Sequence, residues 1–261
     1  MKKQRQPMSD NENSVFGVNP VLEKLRASAK DILEILISES SDRGALRQIS
    51  QEAARLKLRV TAVPRAVLDR LAGGQRHQGV VAKIEAYRYL PFEALLEKIS
   101  GSLNSEWILI LDSLTDPRNF GALLRAAEAV GIRYIIIPKD RSVQVTPLVV
   151  KASAGAVYHV NVIKATNLRR VILELKRRGF WIVGLNEASQ ECVYDKTFPS
   201  RLAIILGSEG KGVRPVNLQE CDFLVSIPML GKVESLNVAV AGAVFLYELF
   251  RQKRNLDHQS T

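Results

Sequence analysis

Three stretches hold the residues whose types and spacing could do chemistry, and each follows an apolar run. The first is Asp112-Ser113-Leu114-Thr115-Asp116-Pro117-Arg118-Asn119-Phe120-Gly121, with Arg125 four residues further on. Asn119 is placed to cap a helix over residues 119–130. Helical side chains lean toward the amino end of their helix, so Arg125 should lie over the small Gly121 and Ala122 and face the loop. The competing reading of Arg125 is a surface pair with Glu128, worth about 0.3 kcal/mol. The second stretch is Gly207-Ser208-Glu209-Gly210-Lys211-Gly212, whose glycines would let a backbone approach a ligand closely. It is not a phosphate loop: Lys211 is followed by Gly212-Val213-Arg214-Pro215, with no Ser or Thr in place, and the dinucleotide fingerprint fails on spacing too. A simple turn is the alternative. The third runs from Ile227 to Val240. Ser235 and Asn237 stand at a helix start, where both types cap well, and Ile227 and Leu236 add apolar surface. That mixture suits either a plain cap or a pocket for a small molecule with an aromatic ring and hydroxyls.

The elements that must position these loops alternate between strand and helix. Strands are expected at 107–111, 134–137, 157–162, 181–185, 202–206 and 223–227, with helices between most of them and a final helix after Asn237. Continuous apolar strands separated by helices imply a parallel sheet covered on both faces. Ligands then collect beyond the carboxyl ends of the strands, where all three loops lie. A smaller α/β unit precedes it, over residues 15–86, with strands at 32–37, 60–63 and 78–84 and helices at 20–25, 43–56 and 64–71. Arg76, His77 and Lys83 in this unit could meet phosphates, although a structural role suits His77 as well. Residues 87–104, with Pro91 and Gly101-Ser102, read as a linker around a short amphipathic piece. Residues 1–14 read as a disordered basic arm, residues 105–255 as the second domain and 256–261 as a tail.

Of the 261 residues, 37 are Lys or Arg and 27 Asp or Glu, and the net charge of +10 favours a polyanionic partner, RNA or DNA before a membrane surface. Cys192 and Cys221 lack the spacing of a zinc site or a disulfide framework, and His77, His159 and His258 are scattered, so no metal is expected. No apolar run reaches the roughly 18 residues that span a bilayer, and the amino end lacks a signal-peptide core. A cytoplasmic protein that does not engage the membrane is the expectation.

Taken together and in order, the three stretches resemble the three motifs of the SpoU (TrmH-type) family of RNA ribose 2′-O-methyltransferases. Asn119 with Arg125 matches the first motif, Gly207-Ser208-Glu209-Gly210 the second, and Ser235-Leu236-Asn237 the third. His77-Gln78-Gly79-Val80-Val81-Ala82 resembles the ribosomal-protein-like, substrate-binding domain of members that modify large-subunit ribosomal RNA. The likeness is strongest to members acting on a guanosine in the peptidyl-transferase region of bacterial 23S rRNA.

That resemblance implies a deep trefoil knot in the catalytic domain, a homodimer formed through it, and S-adenosylmethionine as methyl donor. Gly207, Ile227 and Leu236 would line the donor site. Arg125 would act on the ribose 2′-hydroxyl with Asn119 positioning it, and Glu209, Ser235 and Asn237 would complete the catalytic site. Because an arginine stays protonated in proteins, Arg125 is expected to act as a cation that stabilises alkoxide charge and grips a phosphate. The competing classes are a transfer-RNA 2′-O-methyltransferase, a non-catalytic ribosome-binding protein with a decayed site, and a nucleotide-dependent enzyme using the glycine loop.

Overall fold

The computed structural model describes residues 13–39, 43–100, 106–233 and 235–259. The basic arm therefore lies outside the described residues except at its last two positions. The chain forms two compact units, the first comprising residues up to Arg88 together with Val145–Tyr158, the second Tyr89–Gln144 with the chain from His159 onward.

The first unit is built from β1 (Ser14–Phe16), α1 (Val18–Ser28), β2 (Ile32–Ser38), α2 (Arg43–Arg55), β3 (Val60–Val63), α3 (Arg65–Leu71) and β4 (Val80–Ile84). Its sheet has the order β1-β4-β2-β3, with only β2 and β3 parallel. Phe16, Leu36, Leu68, Leu71 and Val81 form a core. Strand β1 is an element the sequence reading assigned to the arm and loop; Ser14 pairs with Lys83 and is buried. His77 is a structural residue here. Its Nδ1 accepts from the Gly79 N–H at 3.1 Å, which leaves Nε2 to donate to Asp69 at 3.0 Å, so both ring nitrogens are occupied. Lys83 is likewise engaged with Glu34 at 3.3 Å.

The second unit begins with α4 (Phe92–Ser100). This is the piece read as a linker, and the correction has a simple cause: Leu95 and Ile99 are buried in the main core rather than exposed on a tether. Next come β5 (Glu106–Leu111), α5 (Pro117–Ala129) and β6 (Tyr134–Pro138). Helix α6 (Pro147–Ala152) and a 3-10 turn at Ala156–Tyr158 belong to the first unit. The expected strand at 157–162 is displaced: the turn takes up Val157, and β7 (Asn161–Ala165) starts only where Asn161 meets Tyr134. The chain continues through α7 (Leu168–Arg177), β8 (Trp181–Leu185), β9 (Arg201–Leu206), α8 (Pro215–Leu218), β10 (Phe223–Val225) and α9 (Val238–Gln259). Strand β10 stops at Val225 because Ser226 bonds instead to Glu191 and Val193. Helix α9 extends to Gln259, into the residues expected to form a tail.

All six strands of this unit are parallel, in the order β10-β8-β9-β5-β6-β7. Ile108, Ile110, Ile136, Ile182 and Ile205 turn to one face and pack with α4 and α7. With a side-chain period of two, Leu109 and Leu111 turn to the other, toward α5 and α9. Each such side chain contributes roughly 1.5–3 kcal/mol by leaving water. Helix α9 crosses α5 closely because Gly242 carries no side chain; a Cβ there would fall 2.4 Å from Leu123 Cδ2 and 2.7 Å from Leu206 Cδ1. From β5 the chain runs outward through β6 and β7, then returns to place β9 beside β5. The strand order therefore reverses between β5 and β9, the position at which parallel sheets open a crevice at their carboxyl ends. Among the described residues no helix is long and apolar enough to cross a membrane.

Candidate active site at the carboxyl ends of β5 and β9

Leu111 and Leu206 are paired neighbours, so the loops that follow β5 and β9 leave the sheet side by side. The first loop enters α5 through Asp116-Pro117. Asp116, and not Asn119, caps the helix: its carboxylate accepts from the Arg118 N–H at 2.7 Å, and Pro117 fits the first helical position. Asn119 thereby sits inside the first turn with its amide free for other work.

The second loop folds back on itself. Ser208 and Gly212 exchange backbone bonds at 3.1 and 2.9 Å. Gly207 is needed for this closure, since a Cβ on it would lie 1.8 Å from the Gly212 carbonyl carbon and 2.1 Å from its oxygen. Glu209 sits at the exposed tip.

Asn237 completes the meeting. Its Oδ1 accepts from the N–H groups of Ala239 at 2.9 Å and Val240 at 3.3 Å and so caps α9. Its Nδ2 donates to Asn119 Oδ1 at 3.0 Å and also to Glu209 Oε1. Asn119 Nδ2 donates to the same Glu209 oxygen at 3.0 Å. Three side chains from three loops, up to 118 positions apart in sequence, thus form one closed triangle.

The other expected site residues stand as follows. Arg125 is exposed on α5 and is engaged with no side chain among the described residues; the alternative pair with Glu128 does not form. Ser235 is exposed, and only Asn237 of the two expected caps serves the helix. Ile227 and Leu236 are half-buried, while Met229, Leu230 and Val233 between them expose apolar surface to solvent.

One further group at this end of the sheet has no counterpart among the expected site residues. Asp112, the residue directly after β5, is fully buried and accepts from Arg214 Nε at 2.7 Å, Asn217 Nδ2 at 2.8 Å, the Arg214 backbone N–H at 3.0 Å and Ser113 Oγ at 3.0 Å. It ties the base of the glycine loop to β5. The available signal was an acidic residue directly abutting Trp107-Ile108-Leu109-Ile110-Leu111, where burial of a carboxylate demands partners. Nearby, burial and then the Asp222 carboxylate push the Cys221 thiol up to about 12, so it remains a neutral packing group.

Residues 106–247 match the SpoU rRNA Methylase family, and residues 14–90 match the RNA 2′-O ribose methyltransferase substrate-binding family. The chain is 40% identical over 248 residues to YacO of Bacillus subtilis, assigned to the TrmH family of tRNA/rRNA methyltransferases, covering 95% of this chain and 98% of YacO. It is 39% identical over 240 residues to the 23S rRNA (guanosine-2′-O-)-methyltransferase RlmB of Coxiella burnetii, covering 92% and 96% of the two chains. Among solved structures it resembles the SpoU methyltransferase AviRb of Streptomyces viridochromogenes, determined with AdoMet, at a TM-score of 0.77 and 24% identity over 94% of this chain and 92% of that one. This last likeness speaks to the fold.

Proposed function

Since the chain belongs to the SpoU rRNA methylase family and is an RNA methyltransferase of that family, we propose that it transfers a methyl group from S-adenosylmethionine to the 2′-hydroxyl of a guanosine in 23S rRNA. The observation that carries this reading is the Asn119–Glu209–Asn237 triangle, which joins all three motif loops at the carboxyl ends of β5 and β9. Support for the ribosomal target comes from the relative in Coxiella burnetii and from the substrate-binding match over residues 14–90.

The donor, when bound, supplies an electrophilic methyl group. Gly207, Ile227 and Leu236 would hold it, the first through its backbone groups and the others by apolar contact. Displacement at a methyl group needs alignment and a more nucleophilic oxygen. Arg125 is exposed and has no side-chain partner among the described residues, and it is the group we assign to the ribose: its guanidinium stabilises charge developing on the 2′-oxygen and grips the neighbouring phosphate. Asn119 and Asn237 keep Glu209 in place through one carboxylate oxygen, and the other has no hydrogen-bond partner among the described residues. Ser235, two residues before Asn237 in the third motif, is assigned to the same group. The same reading includes a homodimer through the second unit, with Val240 and Tyr247 of α9 exposing apolar surface to a partner copy, a knotted carboxyl-terminal segment, and a cytoplasmic location.

Methyl incorporation from labelled S-adenosylmethionine into 23S rRNA, transfer RNA and ribosome assembly intermediates, with mapping of 2′-O-methylated positions in a deletion strain, tests the proposal. Loss of one guanosine methylation in 23S rRNA is the expected result. A missing transfer-RNA mark with 23S rRNA intact would overturn the ribosomal assignment, and donor binding without transfer to any RNA would overturn the enzymatic one.

A further inference from the structure

The Asp112 cluster does more than anchor a loop. Burying a carboxylate completely costs several kcal/mol unless donors surround it. Two of the four donors, the Arg214 backbone N–H and Asn217 Nδ2, already fasten the start of α8 to the end of β5, and a third, Ser113 Oγ, comes from the residue next to Asp112 itself. The fourth is different in kind. Arg214 Nε donates to Asp112 Oδ1 at 2.7 Å, yet the arginine side chain is 49% exposed. A guanidinium has five N–H donors in a rigid plane. With Nε committed, the four on the two η nitrogens have no protein partner among the described residues. A buried carboxylate thus fixes the plane of a guanidinium whose outer edge is offered to solvent. That edge matches two oxygens of a phosphodiester.

Its location is equally specific. Arg214 follows Glu209 by five residues on the loop after β9, and its anchor directly follows β5, so it stands at the same end of the sheet as the Asn119–Glu209–Asn237 triangle. We propose that Arg214 binds a backbone phosphate of the RNA near the target ribose, with Asp112 as the positioning residue that aims it. This assignment rests on the RNA methyltransferase reading.

The test uses the full chain, a 23S rRNA fragment that the wild-type protein methylates, and the variants Arg214→Gln and Arg214→Lys. RNA affinity is measured across a salt series and donor affinity by calorimetry. Arg214→Gln is expected to weaken RNA binding about tenfold and to lower the slope of log affinity against log salt by about one, while donor affinity stays within twofold. KM for RNA should rise more than kcat falls. Arg214→Lys should keep the slope and still lose affinity, because an ammonium lacks the fork. Unchanged RNA affinity and slope in Arg214→Gln would overturn the proposal. So would a loss of donor affinity with RNA binding intact, which would assign the guanidinium to the donor's carboxylate. If the wild-type protein methylates no RNA, it is the broader reading that falls.

Discussion

Substituting Gly207 by alanine should abolish turnover while leaving the protein folded. The added Cβ would sit 1.8 Å from the Gly212 carbonyl carbon and 2.1 Å from both the Gly212 oxygen and the Val213 nitrogen. All three are backbone atoms, so no rotamer change relieves the overlap. The two segments must part by about 1.2 Å before even a tight contact of 3.0 Å is restored. They are tied together by the Ser208–Gly212 backbone pair, and Arg214 is tied to Asp112, so the strain falls on the loop tip that carries Glu209. A displacement of about 1 Å at a reacting site costs on the order of 100-fold in rate, or roughly 2.7 kcal/mol. Losing two exposed backbone bonds costs only about 1 kcal/mol each in stability. Single-turnover methyl transfer should therefore fall at least about 100-fold and donor affinity with it, while the thermal midpoint drops by only a few degrees. A Gly207→Ala protein retaining a tenth or more of the wild-type rate would refute the idea that loop closure sets the geometry.

Asn237→Asp separates two roles of one side chain. An aspartate still caps α9 through its oxygens but cannot donate to Asn119 and faces the Glu209 carboxylate, so activity should collapse with urea stability changed by less than about 1 kcal/mol. Gln252 bonds the Lys196 carbonyl at 2.8 Å and the Phe198 N–H at 3.1 Å, pinning the loop before β9 to α9; Gln252→Ala should cost about 1–3 kcal/mol in urea unfolding. Bonds from Arg251 and from Gln252 hold the buried Glu248 carboxyl below its usual range. A lowered folded pKa means that this stabilisation is complete above the ordinary carboxylate range, near about 4.3, and is lost as pH falls through the folded value. Glu248→Gln should accordingly flatten the thermal midpoint profile below about pH 4.5; an unchanged slope would reject this.

The sheet of the second unit was legible because its strands are buried on both faces and so read as unbroken apolar runs, such as Ile108 to Leu111. Where burial was decided by distant partners, the pattern was silent. Ser14-Val15-Phe16 is too short to announce a strand, and only β4 makes it one. The stripe of Leu95 and Ile99 was visible, but not the sheet face that buries it. Asn119 was an acceptable cap on paper, yet Asp116-Pro117 is the stronger signal and won. The three loops could be found from their residues and resemblance. That their amides and carboxylate would close a triangle follows from the pairing of β5 with β9, a contact between residues 95 positions apart in the chain (Leu111 with Leu206) that no local period encodes. The role of Asp112 is not legible locally, since it depends on Arg214 and Asn217, more than 100 residues away.

The path of the chain between its two units bears on how such a protein can be rearranged. Val145–Tyr158 lies inside the stretch matched to the methylase family, yet packs with the amino-terminal unit. A fragment cut after Arg88 would leave behind α6, whose Val149 and Val150 are buried, and the 3-10 turn against whose Tyr158 ring Lys24 rests at 4.6 Å. Neither unit is therefore a cassette that end-to-end fusion can exchange. A chimera that borrows the amino-terminal unit of a relative must carry residues 145–158 with it, and recombination in the 87–104 segment alone would join two incomplete pieces.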